Sequence, residues 1–214
     1  PDFLRPFLLE VKMYSPKVHV EERLDVLQDV MRMHGWAILV GSGEAAPQAT
    51  HLPFVLDETR GPNGTLVSHM AKANPHWQNF ENSGEALVIF WGPHAYISPG
   101  WYENQPSVPT WNYVTVHAYG KPRLIEGEEA MMAAQKSLVE TYEGAEGWKL
   151  ESQPEKFIKG MLSGIICFEI PITRLEGKFK MSQNRPASDL PGIVEGLRNR
   201  AEGDDLEIAE MLDD

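Results

Sequence analysis

The sequence predicts an α+β chain that is mainly β, built on an antiparallel barrel or closed sheet with added helices. Six segments show strand alternation or a short apolar run bounded by turn residues. Helical spacing occurs in one segment ahead of the strands, in two inserted among the last of them and in one after. No β–α–β alternation runs through the chain, which excludes a parallel Rossmann sheet. Closure of an antiparallel sheet fits best because it protects strand edges.

Each element has its own signal. Residues 19–34 place Leu24, Leu27, Met31 and His34 at helical spacing, behind a turn at Ser15-Pro16. WAILVG, 36–41, reads as a strand stopped by Gly41-Ser42-Gly43. Segments 46–58 and 64–73 flank the turn GPNG and predict a hairpin. EALVIFWG, 85–92, is an apolar strand. In 111–127, Val114, Val116 and Ala118 oppose Thr115, His117 and Tyr119, so one face is apolar. Residues 163–180 form the last long strand. Helices are expected over 128–142, over 154–162 behind Pro154, and from Asp189 to Leu197. No repeat or low-complexity linker divides the chain, so one domain is expected over 13–200. It lies between an N-terminal extension, 1–12, and an acidic tail, 201–214.

The 214 residues are 42% hydrophobic and 23% charged, an ordinary globular balance. No run approaches the ~20 apolar residues of a membrane helix. The first residues do not read as a secretory signal. The one cysteine, Cys167 in GIICFEI, cannot form an internal disulfide and reads as a small buried hydrophobe, which suits the reducing cytoplasm. The formal charge of −12 argues against broad adhesion to nucleic acid. More than half of that excess sits in residues 202–214, which carry seven acids and no base and read as a solvated, frayed end.

Four stretches carry chemistry. Residues 90–113 hold seven aromatics and four prolines in a stiff, loop-like run. Such flat surfaces suit a planar ligand or a dimer seam, or they cap a core. SHMAKANPHW, 68–77, groups Ser68, His69, Lys72 and Asn74 at a strand end, as a polar-ring or phosphate pocket or as a solvated Asn-Pro turn. In EGKFKMSQNRP, Lys178 and Lys180 flank Phe179 on one strand face, for anion binding or as a basic edge. In ATHLPFVLD, Thr50 and His51 precede a proline, as at an edge strand or bulge. The histidines show no metal-ligand spacing, and no glycine-rich phosphate loop or nucleophile elbow is present.

Taken in order, ATHLPF, HMAKANP, YISPGWY, PTWNY and GKFKMSQNRP resemble the PaiB family of FMN-binding negative transcriptional regulators, from Met13 to about Leu197. The resemblance implies a six-stranded antiparallel split β-barrel of the FMN-binding, pyridoxamine-oxidase-like kind. It also implies a cytoplasmic homodimer with two flavin sites at the subunit interface. Carried over by motif, Thr50, His51 and Leu52 would present strand backbone to the isoalloxazine. Ser68, His69, Lys72 and Asn74 would meet phosphate and ribityl groups. From the partner subunit, Tyr96, Ser98, Trp101, Trp111 and Asn112 would stack on or bond to the ring. Lys178, Lys180, Gln183 and Asn184 would close the site. Gly100 departs from the family, where serine is commoner.

Three functions follow as expectations. The first is a flavin-binding transcriptional regulator. No basic recognition helix is present, so DNA contact would need a local patch or a partner protein. The second is an FMN-dependent oxidoreductase reduced by a nicotinamide donor. The third is a haem-binding split barrel, which the seven histidines leave open.

Overall fold

The computed structural model describes residues 12–43, 46–81, 84–144 and 146–213. The expected N-terminal extension therefore lies outside the described residues but for Lys12. The elements in chain order are β1 (Val20–Glu21), α1 (Leu24–Met33), β2 (Trp36–Ser42), β3 (Pro47–Pro53), β4 (Val55–Asp57), β5 (Thr65–Ala71), β6 (Ala86–Ile97), β7 (Thr110–Gly120), β8 (Arg123–Ile125), α2 (Glu128–Glu143), α3 (Glu155–Leu162), β9 (Ile165–Pro171), β10 (Arg174–Lys180), α4 (Leu190–Arg200) and α5 (Asp205–Asp213). A six-stranded sheet has the order β1-β10-β7-β6-β2-β3, and a four-stranded sheet the order β4-β5-β9-β8. Every pairing is antiparallel. The expected mainly β, α+β class with its six-stranded antiparallel split barrel is the class observed.

Three expected long strands are each two strands that change sheets. Segment 46–58 breaks after Pro53, which has no N–H to extend a ladder. Only β4 forms the predicted hairpin with β5, while β3 pairs along its length with β2. Segment 163–180 breaks after Pro171, giving β9 to the small sheet and β10 to the large one. Segment 111–127 breaks at Gly120, where a Cβ would collide with the Pro171 carbonyl. The two sheets meet closely at that corner, and glycine permits the approach.

The inner faces enclose one core. Leu39, Val88, Phe90, Val116, Phe168 and Ile170 are fully buried. Phe54 lies edge-on to Phe90 and to Phe168, with centroids 6.1 Å apart in each pair, and Phe80 is 5.1 Å from Phe168. In β7, Val114, Val116 and Ala118 point inward as their alternation predicts. α2 covers the outer face of the small sheet, where Ala134 meets Val67 and Cys167. Cys167 is 1% exposed and burial pushes its thiol up, as suits an inert small hydrophobe.

Two expectations are corrected. Residues 90–97 are not loop: β6 continues to Ile97 through a bulge between Trp91 and His94, which accommodates Pro93. The acidic tail is not a frayed end. α5 packs on α4 and β6, where Ile97, Ile193, Leu197, Ile208 and Ala209 form a second, fully buried cluster. The signal was hidden because acids alternate with Ile208 and Ala209. One of the acids, Asp205, is itself 2% exposed. It accepts from Arg200 Nε at 2.7 Å and from the Glu202 N–H at 3.0 Å. Burial alone would raise its carboxyl; the Arg200 and backbone bonds outweigh that and hold it low.

Ile208→Ala is expected to cost about 2–5 kcal/mol, the usual penalty for emptying a packed aliphatic site. Urea unfolding reads this directly. A loss under about 0.5 kcal/mol would show that α5 does not dock.

Candidate functional site

The motif residues fall into two groups. The first lies where β3 ends and the chain turns after β5. Asn74 caps a short 3-10 turn, Pro75–Asn79, accepting from the His76 N–H at 3.0 Å. Its amide donates to Thr50 Oγ1 at 3.3 Å, and Thr50 Oγ1 lies 2.9 Å from His76 Nδ1. Thr50, Asn74 and His76 are thus one hydrogen-bonded unit that ties β3 to the turn. Ser68 is fully buried and donates to the Pro53 carbonyl at 2.7 Å. It braces β3 against β5, and its hydroxyl is not presented to a ligand. Leu52 is core. His51 and Lys72 are exposed. β3 is the last strand of its sheet, so one of its edges has no ladder partner among the described residues.

The second group lies around the start of β7 and the end of β10. Trp111 is 52% exposed, with the Tyr96 ring edge-on at 5.8 Å. Lys180 Nζ donates to the Trp111 carbonyl at 2.8 Å and to Thr110 Oγ1. Burial, then the neighbouring Lys178, pulls the Lys180 ammonium below the usual lysine range. Lys178 donates to the Tyr14 carbonyl at 2.9 Å. Gln183 Oε1 lies 2.7 Å from His19 Nδ1 and accepts the Met181 N–H at 2.8 Å. Asn184 is exposed.

Three further members of this group are also held within the chain. Asn112 is fully buried and donates to Ser182 Oγ at 3.0 Å. Ser98 accepts the Gly100 N–H at 3.2 Å, capping a short turn. The Trp101 ring packs on α4 at Gly196, where a Cβ would collide with it, and the Arg200 guanidinium sits 4.9 Å over it. Within the chain Trp101 and Asn112 therefore have a bracing role.

One chain does not bring the two groups together. Thr50 faces Leu39, Leu39 faces Val88, and Val88 faces Ala118. Trp111 is three strands away, about 14 Å across the sheet at normal strand spacing, and lies seven residues farther along β7.

Sequence reasoning missed His76 and His94. His76 follows Asn74-Pro75 closely enough to have been read with that turn. The partner of His94 is Asp204, 110 residues away, and nothing local marks it.

The residues fit a flavin mononucleotide on grounds of their own. β3 offers unpaired main-chain groups for a ring edge, Trp111 and Tyr96 offer stacking area, and Lys72 offers a cation for phosphate. His69 Nδ1 is buried with no partner among the described residues. Burial also holds the His69, His76 and His117 imidazoles below their ordinary value of 6.5. The unfolded chain therefore takes up protons that the folded chain refuses. Stability is full above about 6.5 and falls as pH drops through it toward the depressed folded values. Urea unfolding should give a lower stability at about pH 5.5 than at about pH 7.5, by up to about 1.4 kcal/mol per histidine per pH unit. Equal values would contradict neutral burial.

Comparison with known proteins shows the family. Residues 13–174 match the family described as "Putative FMN-binding domain". The protease synthase and sporulation protein PAI 2 of Bacillus subtilis is 32% identical over 206 residues, spanning 94% of this chain and 97% of its own. An uncharacterized protein of Emericella nidulans is 35% identical over 228 residues, spanning 87% and 91%. The flavocytochrome Anf3 of Azotobacter vinelandii shares the fold, with a TM-score of 0.60 at 14% identity over 79% of this chain and 72% of its own. Matched over most of its length by sequence and built on the same split barrel, the chain belongs to the PaiB-type FMN-binding family, and FMN is its cofactor.

Proposed function

We propose that the protein is a homodimer that holds FMN at two symmetric sites between its subunits. Each site joins the β3–Asn74 group of one protomer to the Trp111–Lys180 group of its partner. The separation of those groups within one chain carries this reading. A self-complementary surface supports it. On the outer face of the large sheet Ile38 lies beside Ile89, and Val40 beside Leu87. All four are half-buried, and Trp36 and Trp91 flank them at 64% and 55% exposure. A two-fold contact across such a face buries the same patch on both copies.

In this arrangement Lys72 and His69 hold the phosphate end, β3 backbone and His51 meet the ring edge, and Trp111 with Tyr96 covers its face. Lys180 closes the site beside Trp111. Bound FMN supplies a redox-active ring, and the protein sets what reaches it. In line with the resemblance to FMN-binding regulators, and with a Bacillus relative named a protease synthase and sporulation protein, the protein serves regulation, with the flavin as sensor. Direct DNA binding is the less favoured route. Arg23, Arg32, Arg60, Arg174, Arg185, Arg198 and Arg200 are all paired to carboxylates, which blunts the attraction these seven could offer to phosphates. The buried free Cys167 suits a cytoplasmic setting.

The purified protein is expected to be yellow and to sediment as a dimer. Lys72→Ala should weaken FMN binding about tenfold to hundredfold by fluorescence titration, the loss of one charge-assisted contact. Trp91→Asp should lower dimerisation and FMN affinity together. A monomeric variant with undiminished FMN affinity would overturn the shared site.

A further inference from the structure

A histidine stands on the exposed aromatic face, between Trp91 and Trp111. His94 follows the bulge of β6, and its imidazole stacks on Trp111, with centroids 6.2 Å apart and planes 29° apart. It lies edge-on to Trp91 at 5.5 Å. His94 Nδ1 is 2.9 Å from Asp204 Oδ2, and the same oxygen accepts the His94 backbone N–H at 3.0 Å. Asp204 sits just ahead of α5, so the C-terminal segment grips this histidine twice.

The Trp91 indole N–H is also 3.0 Å from His94 Nδ1. The two contacts make opposite demands. An indole N–H only donates, and a carboxylate only accepts. If Nδ1 carries a hydrogen it serves Asp204; if bare, it serves Trp91. The bond to an ionised acceptor is the stronger, by roughly a factor of two. Trp91 is 55% exposed and can give its N–H to water instead. Nδ1 therefore carries the hydrogen. In the neutral ring Nε2 is then a bare acceptor. It has no partner among the described residues, and the side chain is 42% exposed.

We propose that His94, positioned by Asp204, is the ring-edge acceptor of the aromatic half-site. Its Nε2 receives an N–H from the planar ring that lies beside Trp111, so the site selects rings with an imide-like N–H at the edge. The isoalloxazine of FMN has such an edge. A ring alkylated at that nitrogen leaves Nε2 unpaired, and unpaired polar groups are what a site rejects most strongly. This inference rests on the dimeric FMN reading. His94 touches the ligand, whereas the Asp204 carboxylate acts only through His94.

Two measurements on the full chain test it. Nitrogen-15 NMR of the imidazoles at about pH 8.5, where an ordinary histidine is neutral, should show the Nδ1–H tautomer for His94. In Asp204→Ala, Trp91 should capture Nδ1 and the Nε2–H form should appear. An Nε2–H tautomer in the unaltered protein overturns the proposal. The second measurement titrates FMN and its N3-methyl analogue by flavin fluorescence. The unaltered protein should prefer FMN by about tenfold, the worth of one hydrogen bond. His94→Phe, which keeps a ring on Trp111, and Asp204→Ala should both bring the preference to within about twofold. If FMN binds to a dimer and the preference survives in both variants, this inference falls alone. If FMN does not bind at all, the dimeric FMN reading falls with it.

Discussion

Closure of two antiparallel sheets around one aromatic core is the constraint on which the rest of this structure depends. Phe54, Phe80, Phe90 and Phe168 come from four separate stretches of chain and meet in the middle. They can do so only because the chain changes sheets after Pro53, Gly120 and Pro171. At two of these points a missing N–H ends a ladder, and at the third a missing Cβ lets two strands touch. The interior is filled by the chain's own side chains, so a ligand must use the outside.

The outside is divided. α2 covers the small sheet and shuts Cys167 away. The large sheet keeps Trp36, Trp91 and Trp111 in the open. The polar motifs lie at its margins, with Thr50 and His51 on its last strand and Trp111 and Lys180 on the strands opposite. That spacing explains why the motif residues of one chain form two separate groups. The interior imidazoles fit the same picture. His76 is held against Thr50 and kept neutral by burial, so it fixes the shape of the turn and adds no charge there.

The C-terminal helices serve the site as well as stability. Arg200 links Asp205 to the Tyr96 carbonyl, at 2.8 Å from the latter, and lies over the Trp101 ring. The aromatic strand end is thereby tied to α4 and α5. The acids of this segment differ in duty. Asp205 is a buried partner of arginine, and Asp204 reaches His94, while Asp213 pairs with Arg198 near the surface. A net charge cannot separate such roles.

The sequence by itself determined the α+β class, α1 to α4 to within about five residues (though not α5, nor the strand and turn at 19–23 that it read as helix), the inward face of β7 and the family motifs. These depend on short-range periodicity and on residue chemistry that repeats within a few positions. Only the tertiary structure decided where strands change sheets, because Pro53 and Pro171 interrupt a ladder whose next partner lies far along the chain. It also decided that Ser68, Trp101 and Asn112 brace the fold, since burial is set by neighbours from β3, α4 and the turn after β10. The acidic tail read as solvent-loving because its charges are visible in sequence. Its docking was not, because Ile208 and Ala209 find their cavity only after α4 and β6 have built it.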